Sequence, residues 1–234
     1  MSARGMPVPA PLALRYAAWS LDAAVIALLV IALLHGFLGR ALAACRNALD
    51  ALTTAMAGTL PAAVEAGGSP LVLVQIWLGD GALHAAALAL AGSVTGLVAL
   101  PTLVFALLSL PWFAAFEGSA RQATPGKRLL GLRVIDDDGM APGPARAALR
   151  QAAGALSWLS LNIGHALAGM PPRHQALHDR IAGTRVVRID ARPVPLLARM
   201  WLALQLPAAF LLLALLMRAV DRSLGAAMDA ALLG

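Results

Sequence analysis

The sequence predicts an all-α membrane protein with about three transmembrane helices. Hydrophobic residues make up 60% of the chain and charged residues 13%, whereas soluble domains carry about 25% charged residues. The mean hydropathy is +0.76. Apolar runs long enough to cross a bilayer as a helix, roughly 20 residues, recur along the chain. We also expect one further membrane segment, either re-entrant or a fourth span, and a small cytoplasmic β-hairpin-like element.

The basic charge of the chain does not indicate nucleic-acid binding. The net charge is +6 and the pI is about 11.2. The sequence has no basic stripe with interleaved aromatic residues, and Lys127 is the only lysine among 18 basic residues. We interpret the basic residues as charges that orient a membrane protein. A single cysteine, Cys45, excludes an intramolecular disulfide framework, and no cofactor is expected.

The first span is expected at residues 12–38, after an irregular lead-in at residues 1–11. Arg15 and Asp22 are its only charged residues, and their spacing of seven places them on one helical face. A charge in the middle of a bilayer helix costs at least about 2.5–3.5 kcal/mol. We therefore expect this face to contact other protein segments.

Residues 40–80 are expected to form an inserted amphipathic loop. Within residues 40–60 the apolar positions recur at spacings of three and four, with polar residues between them. This pattern predicts an amphipathic helix that lies on the membrane surface or packs on other helices. We expect Leu49, Leu52 and Met56 to be buried on its apolar side.

Two further spans complete the predicted topology. The second is placed at about residues 88–114, with a kink at Pro101 because proline removes a backbone donor in the middle of a helix. The third is placed at residues 196–219, within an additional C-terminal segment at residues 191–234. This arrangement predicts that Gly234 faces the side opposite the cytoplasm.

The region between the second and third spans carries most of the basic residues, which predicts a cytoplasmic location. Residues 129–135 and 184–189 are β-compatible and can pair only if they lie on the same side. Residues 146–170 between them are apolar but interrupted by polar residues. Because both flanks are basic, we favour a membrane hairpin over a full span, with Gly126 and Arg185 both cytoplasmic.

Two motifs resemble a known family. Residues 124–134 read Thr-Pro-Gly-Lys-Arg-Leu-Leu-Gly-Leu-Arg-Val, and residues 177–184 read Leu-His-Asp-Arg-Ile-Ala-Gly-Thr. Together with Arg15 and Asp22, these motifs are similar to the RDD family of bacterial membrane proteins, over about residues 12–190. The motif residues that carry the resemblance are Thr124, Pro125, Gly126, Lys127, His178, Gly183 and Thr184.

The resemblance implies that Arg15, Asp22 and Asp179 are the arginine and the two aspartates for which the family is named. It also implies a multi-pass protein of the bacterial cytoplasmic (inner) membrane and a role in transport, including cation/proton exchange. The long loop after the first helix and the extra C-terminal span depart from a minimal member, and leave a specialised role open.

The residues themselves predict a functional charge network of Arg15, Asp22, Arg150 and Asp179. Such charges act either as an intramembrane relay or ion site, or as structural pairs that lock segments together. His174, with His178 and Asp179, has a spacing that could suit a metal. The pattern is weak and lacks a second ligand cluster, so no metal site is expected.

Two classes of function follow. The first is a transport-linked component for an ion or small solute, which would need to form a homo-oligomer or join a membrane-protein complex because three spans enclose little pathway. The second is a non-catalytic membrane scaffold or assembly factor that docks partner proteins. Both have the lipid bilayer as a partner. No nucleophile and base stand at a suggestive spacing, so an enzyme is not expected.

Overall fold

The computed structural model describes residues 8–160, 162–189 and 193–233. Residues 1–7 of the predicted lead-in and Gly234 lie outside these ranges. The described residues form two compact units. The sheet unit contains the described residues up to 30 and those within 104–205, and the helical unit contains residues 31–103 and those from 206 onward.

Three long apolar helices confirm the predicted fold class: α1 (Leu12–Gly58), α4 (Gly81–Glu117) and α9 (Leu196–Leu233). Within the described ranges, these are the helices long and apolar enough to cross a membrane. At 1.5 Å per residue, each is longer than the roughly 30 Å of hydrocarbon in a bilayer. Each helix therefore continues beyond the hydrocarbon at one end or both.

Helix α1 differs from the sequence prediction in having no break after the first span. Residues 12–38 and most of residues 40–60 form one helix of 47 residues. The helix continues through the expected break at residue 39 because this position is a glycine and not a proline, and the neighbouring residues are good helix formers. Leu49, Leu52 and Met56 are only half-buried, whereas the fully buried positions on this stretch are Ala48, Thr53 and Ala57.

The helical unit contains two short helices between α1 and α4, namely α2 (Leu60–Glu65) and α3 (Pro70–Gly79). The Ser69 hydroxyl caps α3 by accepting a hydrogen bond from the backbone N–H of Val72. Trp77 Nε1 donates to Thr59 Oγ1 at 2.9 Å, which ties α3 back to the end of α1.

The sheet unit contains three antiparallel strands in the order β1, β3, β2, with β1 at Val8–Pro9, β2 at Leu132–Asp136 and β3 at Thr184–Arg188. Strands β2 and β3 are the pair expected from the sequence. Strand β1 was not expected, since the lead-in was predicted to be irregular. Its proline is tolerated because β1 is an edge strand.

One face of this sheet forms the core of the unit. Leu132 and Val134 of β2 and Val186 of β3 pack with Leu14, Ala17 and Ala18 of α1 and with Ala198 of α9. The first turns of α1 are therefore fixed against the sheet, and Arg15 in these turns reaches Asp179 of the chain segment that precedes β3.

Between β2 and β3 the chain forms α6 (Gly143–Leu159), α7 (Ile163–Ala166), a 3-10 turn at Leu167–Gly169 and α8 (Leu177–Ile181). Since β2 and β3 are direct neighbours in the sheet, this segment leaves and returns on the same side. Residues 146–170 therefore begin and end beside the sheet, and their placement as a membrane hairpin stays a prediction.

Candidate functional site

A buried group of charged side chains lies in the sheet unit, where five helices meet. We call it the charge cluster; it comprises Arg15 of α1, Glu117 of α4, Lys127 of the short helix α5 (Pro125–Leu129), Arg150 of α6 and Asp179 of α8. Each ion pair in it joins two different helices.

Asp179 accepts three hydrogen bonds within the charge cluster and its surroundings. Its side chain is 0% exposed. Oδ2 accepts from Nη2 of Arg15 at 2.8 Å and from the backbone N–H of Ala176 at 3.1 Å, and Oδ1 accepts from Nε of Arg150 at 2.8 Å. Burial alone would raise the pKa of Asp179, but the two guanidinium groups hold it well below its usual range.

Arg150 connects the two carboxylates of the charge cluster. Besides its bond to Asp179, its Nη1 donates to Oε2 of Glu117 at 2.5 Å. Burial disfavours the charged guanidinium, but Glu117 and Asp179 outweigh burial and raise the pKa of Arg150 above its ordinary value. Arg150 and Asp179 are therefore fixed in their charged forms.

Lys127 is the last residue in the series of ion pairs that form the charge cluster. Its ammonium donates to Oε1 of Glu117, and Nζ lies 5.3 Å from the ring centroid of Phe113. Helix α5 holds it there because the Thr124 hydroxyl caps the helix by accepting from the Lys127 backbone N–H at 3.3 Å, and Pro125 occupies the first turn. Burial lowers the pKa of Lys127, while Glu117 opposes that shift.

Asp22 lies beside the charge cluster but outside its ion pairs. Its side chain is buried, and Oδ1 accepts a hydrogen bond from the backbone N–H of Gly126 at 2.9 Å. Within the described part of the chain, Oδ2 has no hydrogen-bond partner. The negative charge of Asp22 nevertheless favours the charged form of Lys127.

Gly126 is required by a close approach between α5 and α1. A Cβ atom at this position would lie 2.3 Å from the carbonyl oxygen of Ala18 and 2.9 Å from Oδ2 of Asp22. Only a residue without a side chain lets the start of α5 reach the Asp22 carboxylate. Gly126 of the first motif is therefore needed for the hydrogen bond between α5 and Asp22.

The second motif supports Asp179. His178 stands 3.4 Å from Arg150 Nη2 and 3.4 Å from the Ser157 hydroxyl. Burial and the nearby Arg150 lower the pKa of His178 to about 3, so it is neutral at physiological pH. Gly183 adopts φ +61°, which turns the chain into β3, and the Thr184 hydroxyl donates to the carbonyl of Asp179 at 3.4 Å.

Of the four residues predicted to form one network, the structure brings Arg15, Arg150 and Asp179 into direct contact. Asp22 instead holds the start of α5. Glu117 and Lys127 were not predicted to belong to the network. Glu117 ends a long apolar run, and Lys127 is the only lysine and lies in the first motif, so both residues carried a usable signal. The sequence does not reveal that their side chains pair with each other.

Three long apolar helices define an integral membrane protein, which also contains a small sheet and a buried charge cluster. The chain belongs to the RDD family, which matches it across residues 9–183. All members of the charge cluster and Asp22 lie within this matched region, whereas α9 lies beyond it. No curated protein and no solved structure matches the chain significantly.

Proposed function

We propose that this RDD protein is a transport-linked component of the bacterial cytoplasmic membrane, in which Lys127 gains and loses a proton between Glu117 and Asp22. The observation that carries the proposal is a single buried ammonium that is paired with one carboxylate and acts electrostatically on a second. Movement of an ion or small solute would be coupled to that proton.

Lys127 is the member of the charge cluster best suited to change its charge. Buried lysines lose their proton readily, because the ammonium is strongly hydrated in water and burial removes that hydration. Arg150 and Asp179 have pKa values shifted away from neutrality in the directions that keep them charged. Arg150 and Asp179 would therefore stay charged while Lys127 changes its protonation state.

The two carboxylates near Lys127 belong to two different candidate spans. Glu117 is the last residue of α4, and Asp22 lies in the third turn of α1. Asp22 Oδ2 makes no hydrogen bond of normal geometry with a described residue, although the side chains of Thr124 and Trp112 act on the same carboxylate. The ammonium would compete with these two donors for Oδ2. A change of partner by Lys127 would thus act on both helices.

The exposed surfaces of the helices support assembly into an oligomer or a larger membrane complex. The most apolar 18-residue stretches of the three candidate spans are 17%, 6% and 0% buried within the chain. These surfaces must contact lipid or other chains. We propose that a pathway forms where spans of several subunits meet.

The test is proton flux into proteoliposomes that contain the full chain and an entrapped pH-sensitive dye. On imposing a Na⁺ or K⁺ gradient, we expect faster acidification or alkalinisation than in protein-free liposomes. Lys127→Met should abolish the difference, whereas Arg121→Gln, which removes an exposed charge, should preserve it. Melting temperatures of both variants separate loss of flux from loss of fold. Equal flux in wild-type and Lys127→Met liposomes would refute the proposal.

A second candidate is a non-catalytic membrane scaffold. It is favoured by the saturated bonding of Asp179, which accepts from two guanidinium groups and one backbone N–H, as expected for a structural lock. A scaffold would give no flux in the wild type but would co-purify from native membranes with a stoichiometric partner. Loss of that partner in Asp22→Asn, with the fold intact, would establish this candidate.

A further inference from the structure

A basic cleft of about 460 Å³ opens on the sheet unit, between β3, the turn that follows β2 and the loop that precedes α8. We call it the arginine cleft. It contains none of the residues of the charge cluster. The polar and charged residues that line it are Asp137, Arg173, His174, Gln175, Arg180 and Arg185.

The arginine cleft has an excess of positive charge. Three guanidinium groups face it, and Asp137 supplies the carboxylate among its lining residues. Within the described part of the chain, Arg173, Arg180 and Arg185 form no ion pair. Three unpaired guanidinium groups around one cleft repel one another unless an anion lies between them.

Arg185 has a donor that lacks an acceptor. Its Nη2 reaches only the backbone carbonyl of Asp137, at 3.4 Å. Its Nε is buried and has no hydrogen-bond partner among the described residues. A buried donor without a partner is costly, so an acceptor from a ligand in the cleft would satisfy it.

Two of the three arginines of the arginine cleft lie in regular secondary structure. Arg185 lies in β3, opposite Ile135 of β2. Arg180 lies in α8 and directly follows Asp179, which is fixed by three hydrogen bonds. His174 adopts a left-handed backbone with φ +49°, a conformation that non-glycine residues adopt at a cost and that clusters at functional sites.

We propose that the arginine cleft binds a phosphate group, supplied either by the headgroup of an anionic phospholipid or by a free phosphate. The planar fork of arginine matches two phosphate oxygens at once, which gives phosphate an advantage over other anions. The cleft lies within the usual size range of small-ligand pockets. The positive-inside rule predicts that the cleft lies on the cytoplasmic side, where anionic headgroups are available.

The first arm of the test uses inorganic phosphate with the full-length protein in detergent, measured by calorimetry. The second uses native mass spectrometry with phosphatidylglycerol against phosphatidylcholine. We expect binding in one arm or in both. Binding of inorganic phosphate would identify a free phosphate as a ligand, and preferential binding of phosphatidylglycerol would identify a lipid headgroup. The triple variant Arg173→Gln, Arg180→Gln, Arg185→Gln should weaken binding by at least about tenfold.

Two further variants separate a phosphate site from a simple surplus of charge. Arg121→Gln removes one exposed arginine outside the cleft and should leave binding unchanged. Arg185→Lys keeps the net charge and the positive charge that orients the chain in the membrane. It replaces the planar guanidinium, which can bind two phosphate oxygens at once, and should therefore weaken phosphate binding. Arg173→Gln changes an exposed side chain and reports on binding even if the triple variant does not fold. Absence of binding in both arms, or equal binding by wild type, Arg173→Gln and Arg185→Lys, would overturn the proposal.

Discussion

Arg15 in α1 and Asp179 in α8 are joined by a 2.8 Å hydrogen bond between Nη2 and Oδ2, although they are 164 positions apart in the sequence. The bond connects the first candidate span to the helix that leads into β3. Because Asp179 also holds Arg150, one carboxylate fixes α1, α6 and α8 together.

The Arg15–Asp179 ion pair predicts that substitutions of its two members lower the free energy of unfolding by different amounts. Removing one partner of a buried ion pair costs about 3–5 kcal/mol because the other charge is left unpaired. Asp179→Asn removes the ionised partner of Arg15 and one of the two ionised partners of Arg150, which keeps Glu117. We therefore expect it to destabilise more than Arg15→Gln. The free energy of unfolding in detergent measures both. The double variant should lose less than the sum of the two, by roughly 0.5–3 kcal/mol. Additive losses would show that the pair is not coupled.

Gly126→Ala tests the approach of α5 to Asp22. The added Cβ atom would meet the Ala18 carbonyl, which is backbone and cannot move aside cheaply. We expect a loss of about 1–3 kcal/mol or more. Gly154→Ala is the matched control, since it lies in α6 with no atom within 4 Å of the new Cβ, and should be neutral or slightly stabilising. If both variants are equally stable, the close approach does not exist.

The spans were predictable because hydropathy is a local property. The pairing of β2 with β3 was predictable because each of two short β-compatible runs needs a partner strand, and the chain offers the two runs to each other. Strand β1 was missed since two residues, one of them a proline, carry no strand signal on their own. It forms because β3 has an open edge beside the start of α1.

The members of the charge cluster were only partly predictable. Arg15 and Asp179 stand out by charge and by resemblance to the family. Asp22 was expected to pair with a side chain, but the start of α5 supplies a backbone N–H that satisfies it instead. The choice between these partners depends on three-dimensional packing at Gly126, which no spacing in the sequence reveals.

His178 predicts a pH dependence of stability. Its pKa falls from an ordinary value of 6.5 to about 3 on folding, because of burial and then Arg150. Between these values the unfolded chain binds a proton that the folded chain does not, so stability falls as the pH drops below 6.5. The slope is roughly 1.4 kcal/mol per pH unit.

His178→Gln should remove this part of the pH dependence between pH 6.5 and 4.5, measured as the melting temperature in detergent. Asp179 does not interfere, because its lowered pKa affects stability only nearer pH 4 and below. His84→Gln, which removes an exposed imidazole of α4, is the control. A slope that is the same in wild type and His178→Gln would contradict the assignment.

A polar contact joins α9, which lies beyond the family match, to α1. Tyr16 Oη donates to Gln205 Oε1 at 2.6 Å, while Trp201 Nε1 and Gln205 Nε2 donate to Ser20 Oγ. Hydrogen bonds between membrane helices contribute about 0.6 kcal/mol each on average. Gln205→Leu should therefore lower stability by about 1 kcal/mol, whereas Leu206→Ala at an exposed neighbour should have little effect. Equal losses would mean that these bonds do not hold α9.

In the proposed function, Lys127 changes its protonation state between Glu117 and Asp22. Lys127 is the only lysine, so ¹⁵N-lysine labelling gives a single side-chain signal that reports this proton directly in lipid nanodiscs. A pH titration of that signal should give a pKa below the ordinary value of about 10.4. Asp22→Asn should lower it further, because a nearby negative charge favours the ammonium. An ordinary pKa that is unchanged by Asp22→Asn would contradict the account.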